Sequence, residues 1–111
     1  MTRAVKDDSD GGMIAMITFT TLQARRDDIL TLAHRWGASH VRVFGSVARD
    51  DARPQSDVDF LVRFDADRSL FDHGGLLMDL QDLLGCPVDL VTEEAMRPRF
   101  RERVVREARP L

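Results

Sequence analysis

The sequence predicts a small α/β domain in which helices cover a short central sheet. Two observations lead there: segments with helical and strand-like apolar spacing alternate as α, β, short α, β, α, β, α, and no internal repeat interrupts that order. At 111 residues the chain is one domain, able to bury a modest core but too small for two substrate-holding lobes. A second body is therefore expected to take part in whatever the chain does, in a homo-oligomer or a hetero-oligomer.

Residues 1–18 show no period, and Asp7-Asp8-Ser9-Asp10-Gly11-Gly12 cannot bury surface, so a flexible N-terminal tail is expected before a folded domain over 19–111. Met13 and Met16 offer later translation starts. Thr20-Thr21-Leu22-Gln23 reads as a capping box, and Leu22, Ile29, Leu30, Ala33 and Trp36 then recur at helical spacing up to Gly37, which predicts the first helix. His34 on that helix reads as a surface or packing residue, because no second histidine stands three or four positions away.

His40-Val41-Arg42-Val43-Phe44 is a short β-type run that ends at Gly45-Ser46, and Val47-Ala48-Arg49 opens a short helix. Asp50 to Ser56, with Pro54, is a loop. Val58 to Phe64 is the strongest strand in the chain, ended by Asp65-Ala66-Asp67. Leu76, Leu77, Leu80, Leu83 and Leu84 form the apolar stripe of the next helix, stopped by Gly85 and Pro87. Val88-Asp89-Leu90-Val91 is a third strand. A last helix is expected from about Glu93 to Arg109, with Phe100, Val104 and Ala108 on one face and Pro98 near its first turn.

Composition narrows the function classes. Hydrophobic residues make up 43% and charged residues 32%, an ordinary globular balance. No apolar run approaches the roughly 20 residues that a bilayer span requires, so no membrane association and a cytoplasmic location are expected. Cys86 is alone, which excludes an internal disulfide and a cysteine metal cluster. With 19 acidic against 16 basic residues the net charge is −3, which argues against a general nucleic-acid binder. The arginines are nevertheless clustered: Arg97, Arg99, Arg101, Arg103, Arg106 and Arg109 are opposed only by Glu102 and Glu107. That segment reads as a solvated helix face or a partner-binding surface.

The informative stretch is Asp57-Val58-Asp59. Side chains alternate across a strand, so Asp57, Asp59, Leu61 and Arg63 point to one face, with the two aspartate Cα atoms roughly 6.5 to 7 Å apart. Two like charges at that distance raise each other's pKa unless a cation lies between them. An all-oxygen donor set suits a hard ion such as Mg²⁺, which prefers a few carboxylates completed by water and phosphate oxygens. Asp89 lies inside an apolar strand, a costly place for an acid unless it is exposed or paired, and it supplies a third carboxylate if the two strands are neighbours. Gly45-Ser46 follows one strand and opens a short helix, so its backbone N–H groups and the serine hydroxyl can meet a phosphate. Arg49, about one helical turn past Ser46, can add charge at the triphosphate end.

Gly45-Ser46, ten intervening residues and Asp57-Val58-Asp59 resemble the G-S-x10-D-x-D motif of the nucleotidyltransferase superfamily that includes DNA polymerase β, and Asp89 matches its third carboxylate. Within it, residues 20 to 111 most resemble the minimal nucleotidyltransferases, whose ending is similar to Val91-Thr92-Glu93-Glu94-Ala95-Met96-Arg97-Pro98-Arg99-Phe100. Asp50 departs from the glycine common there. The resemblance implies a polymerase β-like fold with a short mixed β-sheet covered by helices. It also implies an antitoxin that transfers AMP from ATP to a tyrosine of a HEPN-domain toxin, itself a ribonuclease. Asp57 and Asp59 would hold two Mg²⁺ ions and Asp89 the ion nearest the attacking hydroxyl. Gly45 and Ser46 would hold the β- and γ-phosphates, and Arg49 and Ser56 would complete the nucleotide site. A non-catalytic module that neutralises its partner by steric contact is the alternative, and a transferase acting on a small molecule or RNA is the third.

Overall fold

The computed structural model describes residues 17–111. Most of the expected tail lies outside them, but Thr18 belongs to the fold. Its hydroxyl accepts from the Thr21 backbone N–H while Thr21 reciprocates, which caps α1 (Phe19–Ala24) two residues earlier than the threonine pair suggested. The expected single first helix is two: α1 ends at Arg25 and α2 (Arg26–Arg35) starts afresh there, with Asp27 and Asp28 in its first turn. The break keeps Phe19 and Leu22 on the same core as Ile29 and Ala33.

Among the described residues four strands, β1 (Ala38–Phe44), β2 (Val58–Phe64), β3 (Val88–Thr92) and β4 (Arg109–Pro110), form one mixed sheet in the order β3-β2-β1-β4. β1 and β2 are antiparallel, and between them lie the short helix α3 (Gly45–Ala48) and the predicted loop. β2 and β3 are parallel, a pairing that needs a crossover, supplied by α4 (Leu70–Leu84). α4 is capped by Ser69 with Asp72 and stopped by Gly85, whose φ of 69° is the left-handed conformation predicted for a helix-ending glycine.

β2 is one of the two inner strands and is buried on both sides. Val58, Phe60 and Val62 enter the main core beneath α1, α2 and α4, with Leu76 and Leu80. Leu61 enters a smaller cluster on the opposite face with Phe44, Met96 and Val104. Asp59 shares that second face, so its carboxylate emerges beside the smaller cluster and away from the main core.

The chain's end differs from the prediction. Glu93–Ala95 is a single 3-10 turn, and α5 begins only at Pro98 and runs to Glu107. Arg97 is extended with ψ of 147°, as the residue before a proline is driven to be. Arg101 then donates to the Glu93 and Met96 carbonyls, which fixes the turn against the helix. Arg109–Pro110 leaves α5 altogether and forms β4 against Arg42 and Val43. Proline is tolerated there because β4 is an edge strand. No helix among the described residues is long and apolar enough to cross a membrane.

Candidate active site

Strand register assembles the acidic residues. Asp59 on β2 lies directly opposite Asp89 on β3 and, on its other side, Phe44 on β1. The adjacency that the apolar strand around Asp89 left conditional is therefore present. Asp57 immediately precedes β2 and is exposed, as is Asp89, whereas Asp59 is half-buried. Burial, followed by repulsion from Asp89 and Asp57, raises the Asp59 carboxyl from 3.8 to about 6; Glu107 adds to the rise and Arg49 opposes it. A half-buried carboxylate with two exposed ones beside it at a sheet end offers the all-oxygen donors that suit a hard divalent cation. Among the described residues no three acidic, histidine or cysteine side chains stand close enough together to hold a metal ion by themselves. Carboxylate oxygens are hard donors, the type a Mg²⁺ ion takes together with water and phosphate oxygens.

The Gly45-Ser46 turn stands at the end of β1, next to Phe44 and hence beside Asp59. Gly45 has φ of 78°, and a β-carbon added there would lie 2.1 Å from Asp59 Oδ2, so the contact between turn and carboxylate exists only because residue 45 has no side chain. The other two predicted nucleotide residues are otherwise engaged. Ser56 Oγ accepts from the Arg53 backbone N–H and closes its own loop. Arg49 donates to Glu107 at 2.5 Å and to Asp51 at 3.4 Å.

Glu107 is the neighbour that sequence reading missed, having counted it only as a counter-charge in the basic segment. It reaches the site because α5 folds back across α3, a contact spanning 58 residues of chain with no local signature. A cavity of about 300 Å³ opens between α3 and α5, walled by Gly45, Arg49, Phe100, Arg103 and Glu107. A second cavity of about 240 Å³ lies further along the same sheet face, walled by Arg42, Arg63, Glu93 and Arg101. Its charges are largely committed: Arg42 donates to Glu93 at 2.9 Å, which holds the Glu93 carboxyl below its ordinary range, and Arg101 is tied to backbone carbonyls.

A nucleotidyltransferase-domain family model matches residues 29–111, which contain the Gly-Ser turn and all three aspartates. The chain belongs to the nucleotidyltransferase family. Its place is in the minimal class: a solved structure described as a minimal nucleotidyltransferase is 53% identical, covers 86% of this chain and 97% of that one, and superposes with a TM-score of 0.78. The protein adenylyltransferase MntA of Thermococcus cleftensis is 36% identical over 99 residues, spanning 85% of this chain and 96% of that protein. A chain of a toxin–antitoxin crystal structure with AMP-PNP shares the fold, with a TM-score of 0.66 at 21% identity over 76% of this chain and 69% of that one. This minimal nucleotidyltransferase is therefore an enzyme domain, its sheet packed between a main core on one face and a smaller apolar cluster on the other.

Proposed function

We propose that this enzyme is an antitoxin that transfers AMP from ATP to a tyrosine hydroxyl of a HEPN-domain toxin in the cytoplasm. The observation that carries the reading is the pairing of Asp59 with Asp89 across β2 and β3, with the Gly45 turn in contact with Asp59. The MntA relative, itself a protein adenylyltransferase, supports the choice of nucleotide and of a protein acceptor. The chain contains no tyrosine, so a tyrosine acceptor has to arrive on another molecule.

Asp57 and Asp59 would hold two Mg²⁺ ions, with Asp89 on the ion nearest the acceptor. When bound, the ions supply charge neutralisation at the entering and leaving oxygens of an in-line displacement. Gly45 and Ser46 bind the β- and γ-phosphates through backbone N–H groups and the hydroxyl, which orients the α-phosphorus toward the β3 side. Asp89 faces solvent there and takes the proton of the attacking hydroxyl. The tyrosine oxygen forms a bond to the α-phosphorus, the bond from that phosphorus to the bridging oxygen breaks, and pyrophosphate leaves. The exposed Leu70, Phe71 and Met78 on α4 and the basic face of α5 are the surfaces available for the toxin. His73, by contrast, is pinned to the Leu90 carbonyl.

The test is intact mass spectrometry of the HEPN partner after incubation with this enzyme, ATP and Mg²⁺. The expected result is a gain of AMP on tyrosine that disappears with the double change Asp57→Ala and Asp59→Ala. An unmodified partner held in a tight complex would establish the steric alternative.

A further inference from the structure

Two guanidinium groups face the cavity beside the Gly45 turn, Arg49 at the end of α3 and Arg103 from α5. They are not equivalent. Arg49 is held by two carboxylates, Glu107 and Asp51. Arg103 enters none of the ion pairs among the described residues. Its guanidinium lies instead over the Phe100 ring, 5.8 Å from the centroid, and Phe100 is itself 44% exposed. The two residues are three apart on one helix face, so the ring can carry the arginine without using its hydrogen-bond donors. The uncommitted cation facing the turn therefore comes from the last helix, outside the sequence motif.

Position decides what such a cation meets. Strand order places Asp89 on β3, on the far side of β2 from β1 and the Gly45 turn. The cavity holding Arg103 is shared with Gly45 and Arg49 and lies at the β1 side, away from the acceptor side. Resting on the nucleotide reading above, we propose that Arg103, carried on Phe100, binds the terminal phosphates of the nucleoside triphosphate and is a substrate-binding residue of this enzyme. A guanidinium presents paired donors that match phosphate oxygens, and the open side of the cavity admits the polyphosphate tail.

The experiment is calorimetric titration in Mg²⁺ of α,β-methylene-ATP, whose bridging carbon blocks the bond that would break, and of AMP. The proteins are wild type, Arg103→Ala, Arg103→Lys and Phe100→Leu. Arg103→Ala is expected to weaken the triphosphate analogue on the order of tenfold and to leave AMP binding unchanged, the loss expected for one charge-assisted contact. Arg103→Lys recovers part of the loss, and Phe100→Leu falls between wild type and Arg103→Ala. Arg103 is exposed, so an unchanged melting temperature is expected for its variants. Equal analogue affinity in wild type and Arg103→Ala overturns the inference, as does an equal loss of AMP and analogue. Weakened toxin binding with unaltered nucleotide affinity also overturns it and assigns Arg103 to the protein interface. A wild-type enzyme that binds neither nucleotide defeats the nucleotide reading itself, and that outcome is distinct from the others.

Discussion

Gly45 and Asp59 touch so closely that the smallest side chain on residue 45 would overlap the carboxylate, its β-carbon 2.1 Å from Oδ2. Gly45 also has φ of 78°, a conformation an L-residue holds only under strain. Gly45→Ala therefore has two separate costs, strain of about 1–2 kcal/mol and displacement of Asp59. The expected outcome is a lowered melting temperature together with a fall in transfer rate of at least about 100-fold, since misplacement of about 1 Å near the reacting centre has that effect. Transfer at wild-type rate would show that Asp59 need not occupy this position.

Asp59 also sets a pH dependence. Its carboxyl ionises at about 6 in the folded chain against 3.8 ordinarily, so between those values the folded state holds the extra proton and stability falls as pH rises. The penalty is complete above about pH 6 and absent below about pH 4. At about 1.4 kcal/mol per pKa unit, reduced for partial solvent access, it amounts to about 1–2 kcal/mol. Asp59→Asn should raise the metal-free melting temperature by several degrees at pH 7.5, with no gain at pH 4. The same variant should lose transfer activity on the order of 1,000-fold, because metal-assisted charge stabilisation contributes several kcal/mol. In wild type, Mg²⁺-dependent nucleotide binding should weaken below about pH 6 as protons compete for Asp59. Thermal melts across pH and calorimetry in Mg²⁺ check both halves.

The Arg49–Glu107 pair holds the cation proposed for the phosphate side against a carboxylate that also repels Asp59. Glu107→Gln keeps the shape and a hydrogen-bonding group while removing the charge, so Arg49 becomes available to phosphate. Nucleotide affinity is expected to rise severalfold, most clearly at low salt, where exposed charges are least screened. The melting temperature should change little, because exposed ion pairs contribute little to stability. Weaker binding in this variant would mean that Glu107 instead holds Arg49 in its productive position.

These sites differ in how far the sequence exposes them. β2 was legible because its apolar run is bounded by polar loops, and the Gly-Ser turn because it joins a strand to a helix. Asp89 needed only the adjacency of two strands, which a parallel βαβ unit supplies. The break at Arg25 carries no glycine or proline and results from packing α1 onto the core. Pro98 marks the true start of α5, yet the helix-favouring Glu93-Glu94-Ala95-Met96 masks it in the sequence, because only the fold lets Arg101 claim two carbonyls of that turn. β4 has two residues and no period to read. Glu107 and Arg103 reach the site only through tertiary packing of α5, which no local pattern encodes.

Adjacent glycines in α4 provide a contrast in which the same substitution takes opposite signs. Both lie inside a helix, where replacing glycine with alanine ordinarily stabilises by about 0.5–1 kcal/mol. A β-carbon on Gly74 meets nothing within 4 Å, so Gly74→Ala should deliver that gain. A β-carbon on Gly75 would lie 2.4 Å from Trp36 Cη2, inside the indole that packs over the helix. That ring is anchored: its Nε1 donates to Asp79 at 2.8 Å and it packs edge-to-face with Phe71, the ring centroids 6.0 Å apart. Overpacking of this kind costs about 1–3 kcal/mol, more than the propensity gain, so Gly75→Ala should lower stability. Trp36 is the sole tryptophan, so its emission reports the displacement directly. Gly75→Ala should shift that spectrum and lower the urea midpoint, while Gly74→Ala leaves the spectrum unchanged and raises the midpoint. Equal effects at the two positions would show that Trp36 does not rest on Gly75.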